Sequence, residues 1–223
     1  MTGTPAMLLG NYLSRAIRKV CTFWVAPSLL YEALEVAIFL LNLVRWNTYS
    51  KEAFSLVQTT FKQNPVTLIG SEVKVGDTAP DFKVLANDLS EVTLKDSEGK
   101  IRLFSVVPSL DTGVCDAQTR KFNEAAGEFG DQVLVYTVSM DLPFAQKRWC
   151  GAAGIDNVVT VSDHRDGSFG EAYGVLIQEM RLLTRSVFVV DTEGNVTYVE
   201  YVPEATEHPN YDAAIEAVKA LIK

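Results

Sequence analysis

Sulfur and imidazole are both scarce in this chain, which holds three cysteines (Cys21, Cys115, Cys150) and two histidines (His164, His208) in 223 residues. Cysteines so few and so far apart exclude a secreted disulfide scaffold, and with two histidines no zinc-ligand spacing forms, so no metal is expected. A sparse, odd set suits a reducing compartment, where any disulfide would be catalytic or redox-sensing; a cytoplasmic location is expected. A Cys-x-x-Cys pair is missing as well, which excludes dithiol exchange within a single turn. Positive charge is short: the net charge is −8, and residues 1–57 carry five basic and three acidic side chains, leaving 15 basic against 25 acidic in the remainder. A body this acidic is unsuited to nucleic acid. No internal repeat or low-complexity segment occurs. A hydrophobic fraction of 48% nevertheless allows a packed core.

Residues 1–57 form an N-terminal extension that satisfies no single signal. Residues 1–31 have no acidic group but carry Arg15, Arg18 and Lys19, yet no small-residue cleavage site is clear. The apolar run Val36 to Val44 falls far short of the roughly 20 residues a membrane span needs. Residues 28–49 read as a helix with Ser28 as N-cap and apolar residues nearly all round from Ala33 to Val44, so it wants burial. It could pack on the body, mediate self-association, lie on a membrane surface, or be an upstream stretch absent from the mature protein. Cys21 reads as a bystander.

From residue 58 to 223 the chain reads as one domain. Thr60 to Ile69, with Asn64-Pro65, reads as a hairpin; Val75 to Phe82 as a turn leading into a strand; Val92 to Leu94 as a short strand. Ile101 to Val107 is a continuous apolar strand, followed by a helix with Phe122, Ala125, Ala126 and Phe129 on one face and Gly130 as its stop. Next come a buried strand Val133 to Val138, a helix Pro143 to Ala153, a strand Val158 to Val161 and a brief helix Ser168 to Tyr173. Ser186 to Val190 and Asn195 to Val202 form a hairpin around Asp191-Thr192-Glu193-Gly194, and a helix from Tyr211 to Ile222 closes the chain. Alternating strands and helices, then a hairpin and a last helix, give the order of an α/β, thioredoxin-like fold: a mixed central sheet flanked by helices, with an N-terminal β-hairpin. Function in such a sheet belongs at the turn that ends a strand.

Cys115 sits at such a turn, in Pro108-Ser109-Leu110-Asp111-Thr112-Gly113-Val114-Cys115-Asp116. Pro, Thr, Gly and Asp suit the end of a strand and the cap of a helix. A thiol in a helix's first turn faces unpaired N–H groups and the positive end of the peptide dipoles, both of which favour the thiolate, the nucleophilic form. The plain alternative is a buried cysteine that fills space.

The segment from Pro108 through Arg120 resembles the active-site segment of peroxiredoxins, specifically the bacterial thiol peroxidase subfamily. Further matches are Asn64-Pro65-Val66-Thr67-Leu68, Val75 to Phe82, Leu85-Ala86-Asn87-Asp88-Leu89, Arg148-Trp149-Cys150-Gly151-Ala152 and Phe169 to Val175. The resemblance implies a peroxidatic thiolate at Cys115, a resolving cysteine at Cys150, an intrachain disulfide between them, reduction by thioredoxin, no bound cofactor, and commonly a homodimer. It also implies that Thr112 directs its hydroxyl at the sulfur rather than acting as a plain N-cap, and that Pro108 shields the pocket and fixes the loop. An arginine should lie against the sulfur, with Arg185, just before the strand Ser186 to Val190, as first choice and Arg181 as second. Cys150 sits among small residues that make a weak helix end, able to open for disulfide formation. The substrate would be hydrogen peroxide or an organic hydroperoxide. Two other classes compete: a thiol-disulfide oxidoreductase acting on proteins, and a non-enzymatic, membrane-associated module suggested by residues 1–57.

Overall fold

The computed structural model describes residues 58–222; Cys21 and the helix expected over 28–49 lie outside them. The described chain starts with a hairpin, β1 (Thr59–Phe61) and β2 (Asn64–Val66), paired antiparallel with Phe61 opposite Asn64. Its turn residues Lys62 and Gln63 have φ of 52° and 64°, the left-handed geometry that a two-residue hairpin turn needs and that glycine or asparagine normally supplies. Glu204 compensates: its carboxylate accepts hydrogen bonds from the N–H groups of Lys62 (2.9 Å) and Gln63 (2.8 Å) and from the Thr60 hydroxyl (2.7 Å). Burial pushes this carboxyl up, but hydrogen bonds from Thr206, Thr60 and the Gln63 N–H outweigh the push and hold it at about 2.

The expected single hairpin over Thr60 to Ile69 is in fact two pieces. Beyond β2, β3 (Leu68–Ile69) turns away and pairs with a strand more than a hundred residues later. There follow β4 (Lys83–Leu85), β5 (Glu91–Thr93), one 3₁₀ turn (Leu94–Ser97), β6 (Ile101–Val106), α1 (Gly113–Phe129), β7 (Val133–Ser139), α2 (Pro143–Ala153), β8 (Val159–Ser162) and α3 (Ser168–Ala172). The chain ends with β9 (Leu176–Ile177), β10 (Leu182–Leu183), β11 (Ser186–Val190), β12 (Val196–Tyr201) and α4 (Tyr211–Lys219). The last helix stops at Lys219 and not at Ile222, its final residues continuing as turns.

Seven strands form the main sheet in the order β12-β11-β6-β7-β8-β4-β5, with β6, β7 and β8 parallel and the flanking pairs antiparallel. Every residue of β6 is buried, and alternation divides them between two cores. Phe104 and Val106 join Phe82, Phe169, Tyr173 and Phe188 on one face, while Ile101 and Leu103 join Phe122 of α1 and Val218 of α4 on the other. Each fully buried side chain of this size contributes about 1.5–3 kcal/mol.

A small second sheet, β10-β9-β3, contains two strands, β9 and β10, that the sequence does not predict. Two glycines let it lie close to α3. A Cβ at Gly70 (φ 103°) would fall 1.9 Å from the Glu171 carbonyl oxygen, and one at Gly174 (φ 62°) would fall 2.6 Å from that of Ser71. Asp163 holds the other end of this junction by accepting from the N–H groups of Phe169 (3.0 Å) and Gly170 (2.8 Å), and burial pushes its carboxyl up to about 6.

Candidate active site

The parallel strands β6, β7 and β8 all end on one side of the sheet, where sites of such sheets gather. Val107 makes the last bond of the ladder, its N–H donating to the Val138 carbonyl at 3.0 Å. Pro108 follows, buried and with no N–H to extend the pairing, so the chain leaves the sheet there. It re-enters regular structure at Thr112, whose extended backbone (φ −108°, ψ 146°) caps α1.

Cys115 lies in the first turn of α1 and is fully buried, packed with Val107, Leu110 and Trp149. The Thr112 hydroxyl donates to its Sγ at 2.8 Å. That side chain makes no capping bond to the helix backbone, and its second acceptor is the Ser109 carbonyl at 3.2 Å. Its hydroxyl is thus directed at the sulfur and the loop carbonyl, not at the helix backbone.

Arg185 immediately precedes β11 and is 1% exposed. Its Nη2 donates to Cys115 Sγ at 3.4 Å, its Nε to the Ala205 carbonyl at 3.0 Å, and its Nη1 to Gln118 Oε1 at 2.5 Å. Gln118 is itself held, its amide donating to the Ser105 hydroxyl at 2.8 Å. Among the described residues no carboxylate forms an ion pair with Arg185. A buried guanidinium without a carboxylate partner is costly, and Arg185 offsets that cost through its bonds to two neutral carbonyls and to the sulfur. Arg181 is elsewhere: it is exposed in the β9–β10 turn with φ 49°, and its guanidinium lies beside Gly167.

Cys150 occupies the last turn of α2, half-buried, with Sγ 3.4 Å from the Thr160 hydroxyl. It lines an open hollow of about 400 Å³ together with Asn87, Lys147, Ile155 and Val159. Both cysteines are free thiols, and their sulfurs share no bonding partner. The neighbouring residue Trp149 does pack against the Cys115 cluster, and Arg120 of α1 lies over its ring at 5.9 Å while donating to the Ala153 carbonyl at 2.9 Å. The start of α1 and the end of α2 therefore touch. Gly154, with left-handed φ 67° and ψ 40°, ends α2 directly after this contact.

Reading the sequence missed Gln118 and Asp141. Gln118 stands three residues after Cys115, so helical spacing puts it on the same face, and that spacing was the available signal. Asp141 follows the end of β7 and bonds to the loop before Cys115, a relation that only the pairing of β6 with β7 reveals.

The chain belongs to the redoxin family, whose model matches residues 74–215. It is 66% identical over 168 residues to the thiol peroxidase of Bacillus subtilis (strain 168), a match covering 75% of this chain and 100% of that protein. To the thiol peroxidase of Listeria innocua serovar 6a it is 63% identical over 164 residues, 74% of this chain and 99% of the relative. Identity of this extent carries the enzyme class: the chain is a thiol-dependent peroxidase of the peroxiredoxin type. Among solved structures, a peroxiredoxin-like protein from Aquifex aeolicus superposes with a TM-score of 0.70 at 47% identity, covering 74% of this chain and 98% of that one. A thiol peroxidase from Chromobacterium violaceum, at 18% identity and TM-score 0.66 over 74% of this chain and 97% of its own, shares the fold.

Proposed function

We propose that Cys115 is the peroxidatic residue, reducing hydrogen peroxide and organic hydroperoxides. Its thiolate attacks the distal peroxide oxygen; the S–O bond forms as the O–O bond breaks, and the leaving oxygen takes a proton to become water or an alcohol. Sulfur is left as a sulfenic acid, oxidised by two electrons. Thr112 and Arg185 are the groups that line this path, the hydroxyl and guanidinium donating first to the thiolate and then to the departing oxygen, where negative charge grows. Pro108 keeps a competing N–H and water out of the pocket wall.

Cys150 is the resolving residue. Its thiolate attacks the sulfenic sulfur and expels hydroxide, which takes up the proton the thiol gave to solvent and becomes water, leaving an intrachain disulfide. A thioredoxin-type dithiol then reduces that bond and becomes a disulfide in turn. A disulfide needs the two Cα atoms within about 4.4–6.8 Å, and where the reduced chain holds them farther apart the first turn of α1 and the last turn of α2 open to form it. The cysteine usage and the reductant both fit a reducing, cytoplasmic setting.

The observation that carries this reading is a buried arginine with no carboxylate partner aimed at a sulfur that also receives a threonine hydroxyl. Full burial of Cys115 weighs against protein disulfides as substrates, since a bulky partner cannot reach it. The test is peroxide consumption by stopped flow. Cys115→Ser is expected to fall to the uncatalysed background, and Cys150→Ser to complete one turnover and stall. Wild-type rates in Cys115→Ser would end the reading.

A further inference from the structure

Asp141 lies between β7 and α2, beside the ends of the three parallel strands, and no role assigned above uses it. Its carboxylate gathers hydrogens from two directions: one oxygen accepts from the Ser109 hydroxyl at 2.7 Å, the other from the Leu110 N–H and the Ser139 hydroxyl, both at 2.8 Å. Its own backbone is fixed, the carbonyl accepting from the Ser162 hydroxyl. Among the described residues it forms no ion pair, so the bonding capacity of this half-buried carboxylate is directed at the loop and the strand ends.

The hold on Ser109 and Leu110 matters because of what Ser109 does next. Its carbonyl accepts from both the N–H and the hydroxyl of Thr112, each at 3.2 Å. Thr112 has a single hydroxyl hydrogen, and Cys115 Sγ is its other acceptor, at 2.8 Å. Where the Ser109 carbonyl sits therefore decides how that hydrogen is divided between loop and sulfur. Hydrogen-bond strength depends steeply on distance and angle, so a small displacement of the loop changes the division.

We propose that Asp141 is a positioning residue for the peroxide-reducing step: it fixes Ser109 and Leu110 and, through the Ser109 carbonyl, sets the Thr112 hydroxyl on the Cys115 sulfur. The inference rests on the reading of Cys115 as the peroxidatic thiolate. Asp141 touches neither the sulfur nor the peroxide and exchanges no proton with them; it acts only through the loop. A charged acceptor suits the task, because bonds to a carboxylate are shorter and stronger than bonds to a neutral oxygen.

A double-mutant cycle tests it, measured as the second-order rate constant of the reduced protein with hydrogen peroxide in a single turnover. Asp141→Ala is expected to slow that step by about ten- to hundredfold, the scale of a misplaced reacting group. Asp141→Asn should recover most of the loss, since an amide can accept from the Leu110 N–H and donate to the Ser109 hydroxyl. In a Thr112→Val background, Asp141→Ala should change the rate by less than about threefold, because the hydroxyl it positions is gone. Additive losses in the two backgrounds, or no loss in the Thr112 protein, would overturn the proposal while a slow Thr112→Val leaves the peroxidatic reading standing. An unimpaired Thr112→Val would overturn the proposal as well, whereas only a Cys115→Ser protein with wild-type rates would overturn the peroxidatic reading. Should Asp141→Ala fail to fold, Ser109→Ala removes the 2.7 Å bond with the carboxylate in place and carries the same cycle, its smaller loss again vanishing without Thr112.

Discussion

Cys115 and Cys150 sit at opposite ends of successive helices, and almost everything about their surroundings is reversed. Cys115 is in the first turn of α1, fully buried, with a hydroxyl at 2.8 Å and a guanidinium at 3.4 Å. Cys150 is in the last turn of α2, half-buried beside an open hollow, with one hydroxyl at 3.4 Å. One end of a helix presents free N–H groups and partial positive charge, the other free carbonyls and partial negative charge. The same element thus offers fixed donors to an anion at one sulfur and none at the other. On the proposed reading, a thiol's task here is set by the helix end it occupies and by an arginine held just before β11.

The largest expected effect removes that arginine. Arg185→Met should lower the single-turnover rate with peroxide by about a hundred- to a thousandfold, the usual scale for losing one fixed donor to a developing anion. Arg185→Lys should recover only part, because an ammonium cannot reach the sulfur, Gln118 and the Ala205 carbonyl together. A loss below about tenfold in Arg185→Met would erase the contrast between the two sulfurs. Next in size, Thr112→Val should cost about a hundredfold in the same measurement, with Thr112→Ser near wild type because the hydroxyl remains. Cys150→Ser should leave that first turnover within about twofold of wild type while abolishing continuous turnover with a dithiol reductant, since Cys150 bonds to neither Cys115 nor Arg185.

The smallest effect falls on the scaffold behind Arg185, which Cys150 has no counterpart to. Glu204 joins the Lys62-Gln63 turn to the segment that carries Ala205, whose carbonyl holds the guanidinium. Held at about 2 in the folded chain against 4.5 for a free glutamate, its carboxyl contributes stability that is complete above pH 4.5 and is lost as the pH falls toward 2. Asp163, pushed up to about 6, works in the opposite sense, adding stability below pH 3.8 that is lost as the pH rises to about 6. Glu204→Gln should therefore melt at a lower temperature at neutral pH and show a flatter decline in melting temperature through the acid range. A parallel decline in both proteins would remove Glu204 from the scaffold.

Much of this arrangement was legible in the residues, for reasons that can be named. The run Ile101 to Val107, apolar but for Arg102 and Ser105, reads as a buried strand, and Pro108 with Thr112 and Gly113 as its end and the start of a helix, so the turn with Cys115 stood out. The two-residue strands β3, β9 and β10 carry no period to detect, and β3 joins them only through a pairing that spans more than a hundred residues. Arg181 and Arg185 lie four apart in a stretch without pattern. Only the left-handed turn at Arg181 and the entry of Arg185 into the buried sheet separate them. Asp141 was hidden because its partners belong to the loop after the neighbouring parallel strand.

The guanidinium on Cys115 comes from 70 residues further along the chain, and its own support at Ala205 from 20 residues beyond that. During synthesis the thiol consequently leaves the ribosome well before these groups, so if they activate Cys115 as proposed, a growing chain carries a dormant sulfur until nearly all of the domain has emerged. A chain truncated just before Ala205 is expected to be alkylated at Cys115 no faster than an unstructured peptide, and full reactivity in such a fragment would refute that order of events.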